Sequence, residues 1–567
     1  MDSQIDKVQI AEPNHDAPAE IPVLIVGGGP VGLSTSLLLS YHGIRSLLVE
    51  QHPGTSTYPK ARSLKARMME IFRQLGIEQA IRAVAFPHNR NLIFARSLAG
   101  EELHRRPLET VLPEFVQNWS PTSGCTSPQD VVEPVLLEHA RRNEQAQIRF
   151  NTQLASFEQR DDHVLATLVH RPSGRVQQVR TRYLIGADGS HSTVRDALGI
   201  HMLGQPVLSY YISMLFRADL MRWVGNREIN ICVITNPEAG GLLLQTGENR
   251  WRFTAFYYPD RGQRPEDFTR ERCLQVIRTA TGVPDLAVEL GEITPWNDAA
   301  LVAERFCDRR IFLAGDAEHV MSPMGGFAMN VGVEDAHNLA WKLAAVLKGW
   351  TPPVLLDSYP VERAPVSRKL IEHSARNSSP MHAANNGSAN AGPAQPPWSR
   401  PELAREHGLV FGTTYDSAVI VPDGTAPIQV ANPVTDYVPN ARPGSRAPHV
   451  WLERAGERIS TLDLFGREFV LLAGSDGQSW CDAAKTISRS EAVPIQMFRV
   501  GPGGVVHGPD HAWAEKYGVE EDGAVLVRPD GYVAWRCATS KAEPATEIEM
   551  ALSTALGRQS VRQRQAA

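Results

Sequence analysis

An apolar run at residues 21–26 breaks into Gly27-Gly28-Gly29-Pro30-Val31-Gly32, and a largely apolar stretch of helical character then continues to Tyr41. A second apolar run, residues 44–50, follows it. Strand, glycine turn, helix and strand make a βαβ unit, placed at the head of the fold. Two further strand-like runs end in a glycine beside an acid. Residues 183–185 lead into Gly186-Ala187-Asp188-Gly189, and residues 310–314 lead into Gly315-Asp316. The second passes through a glycine-rich loop to a helix expected over 334–348. Leu339, Leu343, Val346 and Leu347 recur there at helical spacing, and Gly349 marks the stop.

Between these two motifs, residues 203–295 are rich in β-formers such as Tyr210-Tyr211-Ile212 and Trp251-Arg252-Phe253. They read as a sheet inserted into the first domain. Residues 376–402 are small, polar and rich in proline and glycine, the composition of a linker or mobile loop. Beyond them, strands are expected at 469–473, 495–500, 524–527 and 532–535. The last two flank the turn signal Arg528-Pro529-Asp530-Gly531. No internal repeat is present.

A chain of 567 residues calls for two or three domains. Its 42% hydrophobic and 21% charged content is that of a globular protein, and a net charge of −6 gives no electrostatic reason to expect nucleic acid or an anionic membrane as partner. Residues 1–20 are acidic and lack an apolar run, so they read as a disordered extension and not as a secretory or transit peptide. No apolar stretch approaches the roughly 18 residues needed to cross a bilayer. The six cysteines are scattered, with no CxxC pair and no histidine cluster at metal spacing. Reduced thiols, a cytoplasmic location and no metal are therefore expected.

Gly27, Gly29 and Gly32 form GxGxxG, with Glu50 closing the next strand. Such glycines let backbone N–H groups, here around Pro30 and Val31, approach a pyrophosphate at a helix N-terminus, and an acid at Glu50–Gln51 can accept ribose hydroxyls. The segment from Arg310 to His319 is more specific. Asp316, at the end of a buried strand, can hold the ribityl chain of a flavin. The loop Ser322-Pro323-Met324-Gly325-Gly326-Phe327-Ala328-Met329-Asn330 offers backbone donors to a flat ring, and the helix after it would stabilise negative charge near flavin N1.

These segments, with Ala187-Asp188-Gly189 and the run Asp335-Ala336-His337-Asn338-Leu339-Ala340-Trp341-Lys342, resemble the FAD-dependent aromatic hydroxylases. The likeness is closest to the bacterial polyketide hydroxylases of the tetracenomycin and anthracycline type. It extends to Tyr58-Pro59-Lys60-Ala61-Arg62 and Pro128-Gln129-Asp130, and through 443–449 and 528–536 to that subgroup's thioredoxin-like appendage. The resemblance implies an α/β architecture: a Rossmann-like FAD-binding domain (21–202 and 296–375), an inserted β-sheet substrate domain (203–295) and a C-terminal thioredoxin-like domain (403–567). It implies FAD contacts at or near Lys60, Arg62 and Gln129, beside Gly27, Gly29, Pro30, Val31, Gly32, Glu50, Gln51, Asp188, Asp316, Pro323, Gly325, Gly326 and Asn330. It also implies NAD(P)H and O₂ as co-substrates, with a flavin C4a-hydroperoxide passing oxygen to a phenolic ring.

This sequence departs from the family pattern at Glu318, where alanine is usual, at Ala328, where glycine is common, and at Val333-Glu334, where Ile-Gln is usual. These departures bear on substrate choice. The appendage carries Trp480-Cys481-Asp482-Ala483-Ala484 where a thioredoxin has Trp-Cys-x-x-Cys, so a dithiol cycle is excluded. His191, His201, His319 and His337 are acid–base candidates for which a packed role is favoured. His319, with Pro323 and Tyr211, is a candidate for the reactive pocket. The aromatic set Tyr210, Tyr211, Phe216, Trp223, Phe253, Phe256 and Tyr257, with no arginine cluster to clamp a benzoate, points to a polycyclic phenol. The chain is expected to act as a monomer or homodimer. The alternatives are a Baeyer–Villiger oxygenase or epoxidase on the same fold, and a hydroxylase of a small single-ring phenol. A flavin halogenase would carry Trp-x-Trp-x-Ile-Pro, which is absent, and a flavin-free binding module would not need the Gly315-Asp316 loop.

Overall fold

The strand Ala19–Val26 lies at the centre of a sheet because both of its faces are apolar: Val23, Leu24 and Ile25 are fully buried. The computed structural model describes residues 19–86, 90–386, 397–502, 504, 506, 512–539 and 543–558. The acidic extension thus lies outside the described residues except for its last two, which begin this strand. It pairs in parallel with Ser46–Val49 on one side and with Arg175–Gly186 on the other. Ile311–Leu313 and Ala146–Arg149 extend the parallel sheet outward, and the hairpin Thr152–Gln159/Val164–His170 joins off its path. The two glycine–acid motifs therefore stand side by side at the carboxyl ends of adjacent parallel strands, where open α/β sheets bind ligands.

The second sheet also has eight strands, and it is wider than the expected insert. Met202–Arg217, Ile229–Ile234, Gly241–Gly247, Arg250–Tyr257 and Glu289–Ala303 form most of it. Asn91–Ala95 and Glu102–Pro107, far earlier in the chain, complete one edge, and His319–Val320 closes the other.

The helix expected over 334–348 runs from Ala328 to Leu347, starting directly at the glycine loop. Ser358–Asn386 is a single long helix, so the first part of the expected linker is helical. Its stretch 387–396 lies outside the described residues. The C-terminal unit is a four-stranded sheet, Ile495–Arg499, Phe469–Ala473, Ala524–Val527, Val533–Cys537, with only the first pair parallel. The helices Gln478–Ser490 and Pro544–Ala555 complete the thioredoxin-like βαβ–ββα arrangement. Trp341 of the long inner helix meets Phe469 edge-on at 5.9 Å, so the two cores are continuous. Among the described residues no helix is long and apolar enough to cross a membrane.

Candidate active site

The first turn is as tight as its glycines require. Gly27 has φ +109°, and a Cβ there would lie 2.2 Å from the Ala187 carbonyl oxygen. A Cβ on Gly32 would lie 2.0 Å from the Gly27 carbonyl oxygen. Gly29 differs, since a Cβ there would meet nothing within 4 Å, and it is the N-cap of the helix Pro30–Tyr41 with no side-chain cap. Uncapped N–H groups facing open space suit a pyrophosphate. Glu50 accepts from the Gly28 N–H at 2.7 Å and the His52 N–H at 2.8 Å, which fixes the acid at the lip of the turn. Gln51 is exposed.

Asp188 accepts at one oxygen from Thr193 Oγ1 (3.0 Å) and the Val194 N–H (3.1 Å). Its Oδ1 is buried and makes no hydrogen bond among the described residues. Gly315 has φ +64° and is pressed against Val31, which also touches Gly332 of the long inner helix. Asp316 is accessible, yet protein encloses it at longer range, so it lines a cleft. Burial pushes its pKa upward against the opposing pull of His319 and Lys60. A free glycine cradle, an orphaned aspartate oxygen and an enclosed acid without a partner fit an extended dinucleotide carrying a flavin.

Opposite the flavin loop, one face of the second sheet is aromatic. Tyr211 pairs across the strands with Phe256 and Trp296; it stacks on Trp296 at 4.3 Å and tilts against Phe256 at 5.0 Å. Met324 of the loop packs into the same cluster, which Leu92, Phe94 and Trp398 continue. Pro323 is exposed, and Gly325 and Gly326 are half-buried with φ +123° and +67°.

A family model for an FAD binding domain matches residues 20–374, and one for the C-terminal domain of aromatic-ring hydroxylases matches residues 440–559. The chain belongs to the FAD-dependent aromatic-ring hydroxylases. It is 39% identical over 570 residues to the tetracenomycin A2 monooxygenase-dioxygenase of Streptomyces glaucescens, covering 95% of this chain and 98% of that one. It is similar to the solved structure of aklavinone-11 hydroxylase with FAD and aklavinone, at 36% identity and TM-score 0.85, covering 96% and 100% of the two chains. It is also 35% identical over 549 residues to the 4-methyl-5-nitrocatechol 5-monooxygenase of a Burkholderia species, covering 95% and 98%. The protein is thus an FAD-dependent monooxygenase.

Several of this hydroxylase's site candidates serve its own backbone. Arg62 donates to the Asn230 carbonyl (2.8 Å), Asn230 Oδ1 (2.9 Å) and the Gln245 carbonyl (3.0 Å), tying the FAD domain to the second sheet. Gln129 accepts from the Ala61 N–H at 3.3 Å and donates to Glu133 at 2.6 Å, while Lys60 is exposed. Asn330 accepts from the Lys65 N–H (2.7 Å) and donates to the Ser63 and Gly326 carbonyls (2.9 and 2.8 Å), holding the glycine loop against residues 63–65.

His319 takes the packed role. It is fully buried, with Nε2 2.8 Å from Asp335, and Asp335 also accepts from Arg363 at 2.6 Å. Glu318 completes this buried cluster and accepts from Tyr359 at 3.0 Å. Burial, then Asp335, pushes the Glu318 pKa well up. Burial also raises Asp335, but Arg363 and then His319 outweigh it and hold that group below the ordinary range. His337 is buried against Gln74 at 2.9 Å, and His191 and His201 are exposed.

The aromatic set of the insert divides. Tyr211 and Phe256 face the flavin loop, whereas Tyr210, Phe216, Trp223, Phe253 and Tyr257 pack on the opposite face with the helix Arg270–Thr281. Successive strand residues point to opposite faces, so adjacent Tyr210 and Tyr211 could not share one. Trp296, Asp298, Ser378 and Trp398 were not among the sequence candidates, and Ser322 was read only as part of the glycine loop's backbone. Trp296 lies one residue past the expected insert, and Trp398 lies in what reads as a linker.

Proposed function

We propose that this hydroxylase acts on a multi-ring phenol of polyketide type. The observation that carries the reading is the continuous aromatic face of Trp296, Tyr211, Phe256 and Phe94 opposite the glycine loop, suited to a broad flat ring system. The names of the Streptomyces relative and of the aklavinone-11 hydroxylase support it. Bound FAD supplies hydride acceptance from NAD(P)H and activation of O₂.

The protein supplies the rest. Gly27, Gly29, Pro30, Val31 and Gly32 receive the pyrophosphate, Glu50 the ribose, and Asp316 the ribityl chain. Pro323, Gly325 and Gly326 shape the edge where the ring to be hydroxylated lies. Arg62, Gln129 and Asn330 hold the surrounding loops in place, and Lys60 and the Asp188 Oδ1, free among the described residues, are left to meet the cofactor. We place the enzyme in the cytoplasm, as a monomer or homodimer.

The test is NAD(P)H oxidation stimulated by matched one-ring and three- or four-ring phenols, with ¹⁸O₂ incorporation followed by mass spectrometry. Faster and better-coupled turnover of the polycyclic phenols is expected. Preference for a single ring, as the name of the nitrocatechol relative describes for that enzyme, would overturn the substrate class while leaving the monooxygenase intact.

A further inference from the structure

Asp298 is an unusual buried carboxylate. It is 3% exposed, and among the described residues no lysine, arginine or histidine pairs with it. Its donors are three hydroxyls from three separate elements: Ser322 of the flavin loop at 2.6 Å, Ser378 of the long helix Ser358–Asn386 at 3.0 Å, and Tyr211 of the neighbouring strand at 3.3 Å. All three reach Oδ2. Oδ1 is buried and makes no hydrogen bond among the described residues. Removing a carboxylate from water without a countercharge is costly, so a purely structural position would favour a neutral residue.

The location suggests what the charge is for. Ser322 immediately precedes the exposed Pro323, and Tyr211 stacks directly beneath the half-buried Trp296. The carboxylate therefore lies directly behind Tyr211 of the aromatic face and behind Ser322, the neighbour of Pro323, and these hydroxyl side chains are buried with it. Tyr211 is the titratable group that faces it; Ser322 and Ser378 bring no charge from the loop and the helix.

We propose that Asp298 draws the proton from the substrate's phenolic hydroxyl, acting through the hydroxyls of Tyr211, Ser322 and Ser378 as a positioning residue. The inference rests on the phenolic reading above. The phenol O–H bond breaks and its electron pair stays on oxygen. The proton passes along the hydroxyls and Asp298 becomes the neutral acid. The phenolate pushes density to its ortho and para carbons, which is the activation that oxygen transfer to the ring requires. As the product ring rearomatises, the C–H proton it loses goes into the water formed from the second oxygen atom of O₂, while Asp298 returns its proton to the product oxygen and the carboxylate is restored.

The test uses the FAD-loaded, oxidised enzyme and alizarin, a three-ring phenol whose colour reports its ionisation. The apparent pKa of the bound dye is titrated for the wild type, Asp298→Asn and Tyr211→Phe. Asparagine keeps the size and can accept the same hydroxyls; phenylalanine keeps the carboxylate and shortens the relay, so it serves if the first variant fails to fold. The wild type should bind the dye with its ionisation shifted toward phenolate, and each variant should raise the bound-dye pKa by at least about one unit, a tenfold loss of phenolate. A merely structural role would lower melting temperature or affinity and leave the bound-dye pKa where it was. Equal titration in wild type and variants would overturn the assignment of Asp298. A wild type whose NAD(P)H oxidation alizarin does not stimulate would instead overturn the polycyclic reading on which the assignment rests.

Discussion

A carboxylate ringed by protein is costly to ionise until hydrogen-bond donors reach it. Asp316 stands in that position, with its pKa raised by burial and no side-chain hydrogen bond among the described residues. The sign of its pH dependence follows. An acid whose folded-state pKa lies above its unfolded value favours folding below the unfolded value, and that contribution is lost as pH rises through the folded one. At neutral pH the apoprotein therefore carries a penalty at Asp316 that ligand hydroxyls would relieve. Asp316→Asn, which does not titrate, should weaken FAD binding by about ten- to a hundredfold, the range of one hydrogen bond to a charged group at about 1.5–3 kcal/mol. The same variant's apoprotein should gain melting temperature over the wild type at neutral pH and lose that gain in acid. Flavin titration and melting curves across pH check both halves. Unchanged flavin affinity would remove Asp316 from the site.

The helix Ala328–Leu347 shows where the sequence was legible and where it was not. Its leucine-spaced half, from about Glu334 onward, reads correctly because Leu339 and Leu343 carry the period. Its first six residues, Ala328-Met329-Asn330-Val331-Gly332-Val333, contain a glycine and two β-branched valines and look like loop. Tertiary packing makes them helical: Asn330 bridges to Ser63 and Lys65, and Gly332 fits against Val31 and Gly315. The glycine–acid strands were legible for the opposite reason, since buried parallel strands are short continuous apolar runs. The second sheet was legible as β structure but not in its facing, because neighbouring aromatics such as Tyr210 and Tyr211 hide the two-residue alternation. The strand Asn91–Ala95, second from the edge, joins from far away in the chain and leaves no local signal. Gly332 gives a direct test. Glycine to alanine inside a helix ordinarily stabilises by about 1 kcal/mol. Here the new Cβ would lie 2.5 Å from Val31 Cγ2 and 3.1 Å from Gly315 Cα. Gly332→Ala should therefore destabilise by about 1–3 kcal/mol, as overpacked cores do, measurable by denaturant unfolding. A gain in stability would mean that the contact gives way easily.

The C-terminal unit belongs to the enzyme's core by charge as well as by apolar contact. Its turn at residues 528–531 enters the FAD domain, where Arg528 donates to both oxygens of Glu362 at 2.6 and 2.9 Å, and Lys342 donates to the same carboxylate at 2.7 Å. Arg67 donates to the Asp530 carbonyl at 3.0 Å, and Arg446 to Glu70 at 3.0 Å. Arg528, Glu362 and Lys342 are all fully buried. A redox role for this unit is disfavoured at Cys481, whose thiol burial pushes up, opposite to the shift that activates redox cysteines. Cys481→Ser should keep hydroxylation at the wild-type rate, and lost turnover with full flavin content would contradict that. Arg528→Met tests the structural role. Removing one partner of a buried network leaves Glu362 with a single cation in a low-dielectric interior, a loss of about 3–5 kcal/mol. Because the same carboxylate lies on a helix packed against the Asp316 loop, through Tyr359 to Glu318, the loss should not remain in the appendage. Calorimetry of the holoenzyme should show one transition at lower temperature, with flavin released in the same step. Two separate transitions, with flavin release still at the wild-type temperature, would show instead that the two units unfold independently and that the buried charges serve only the local turn.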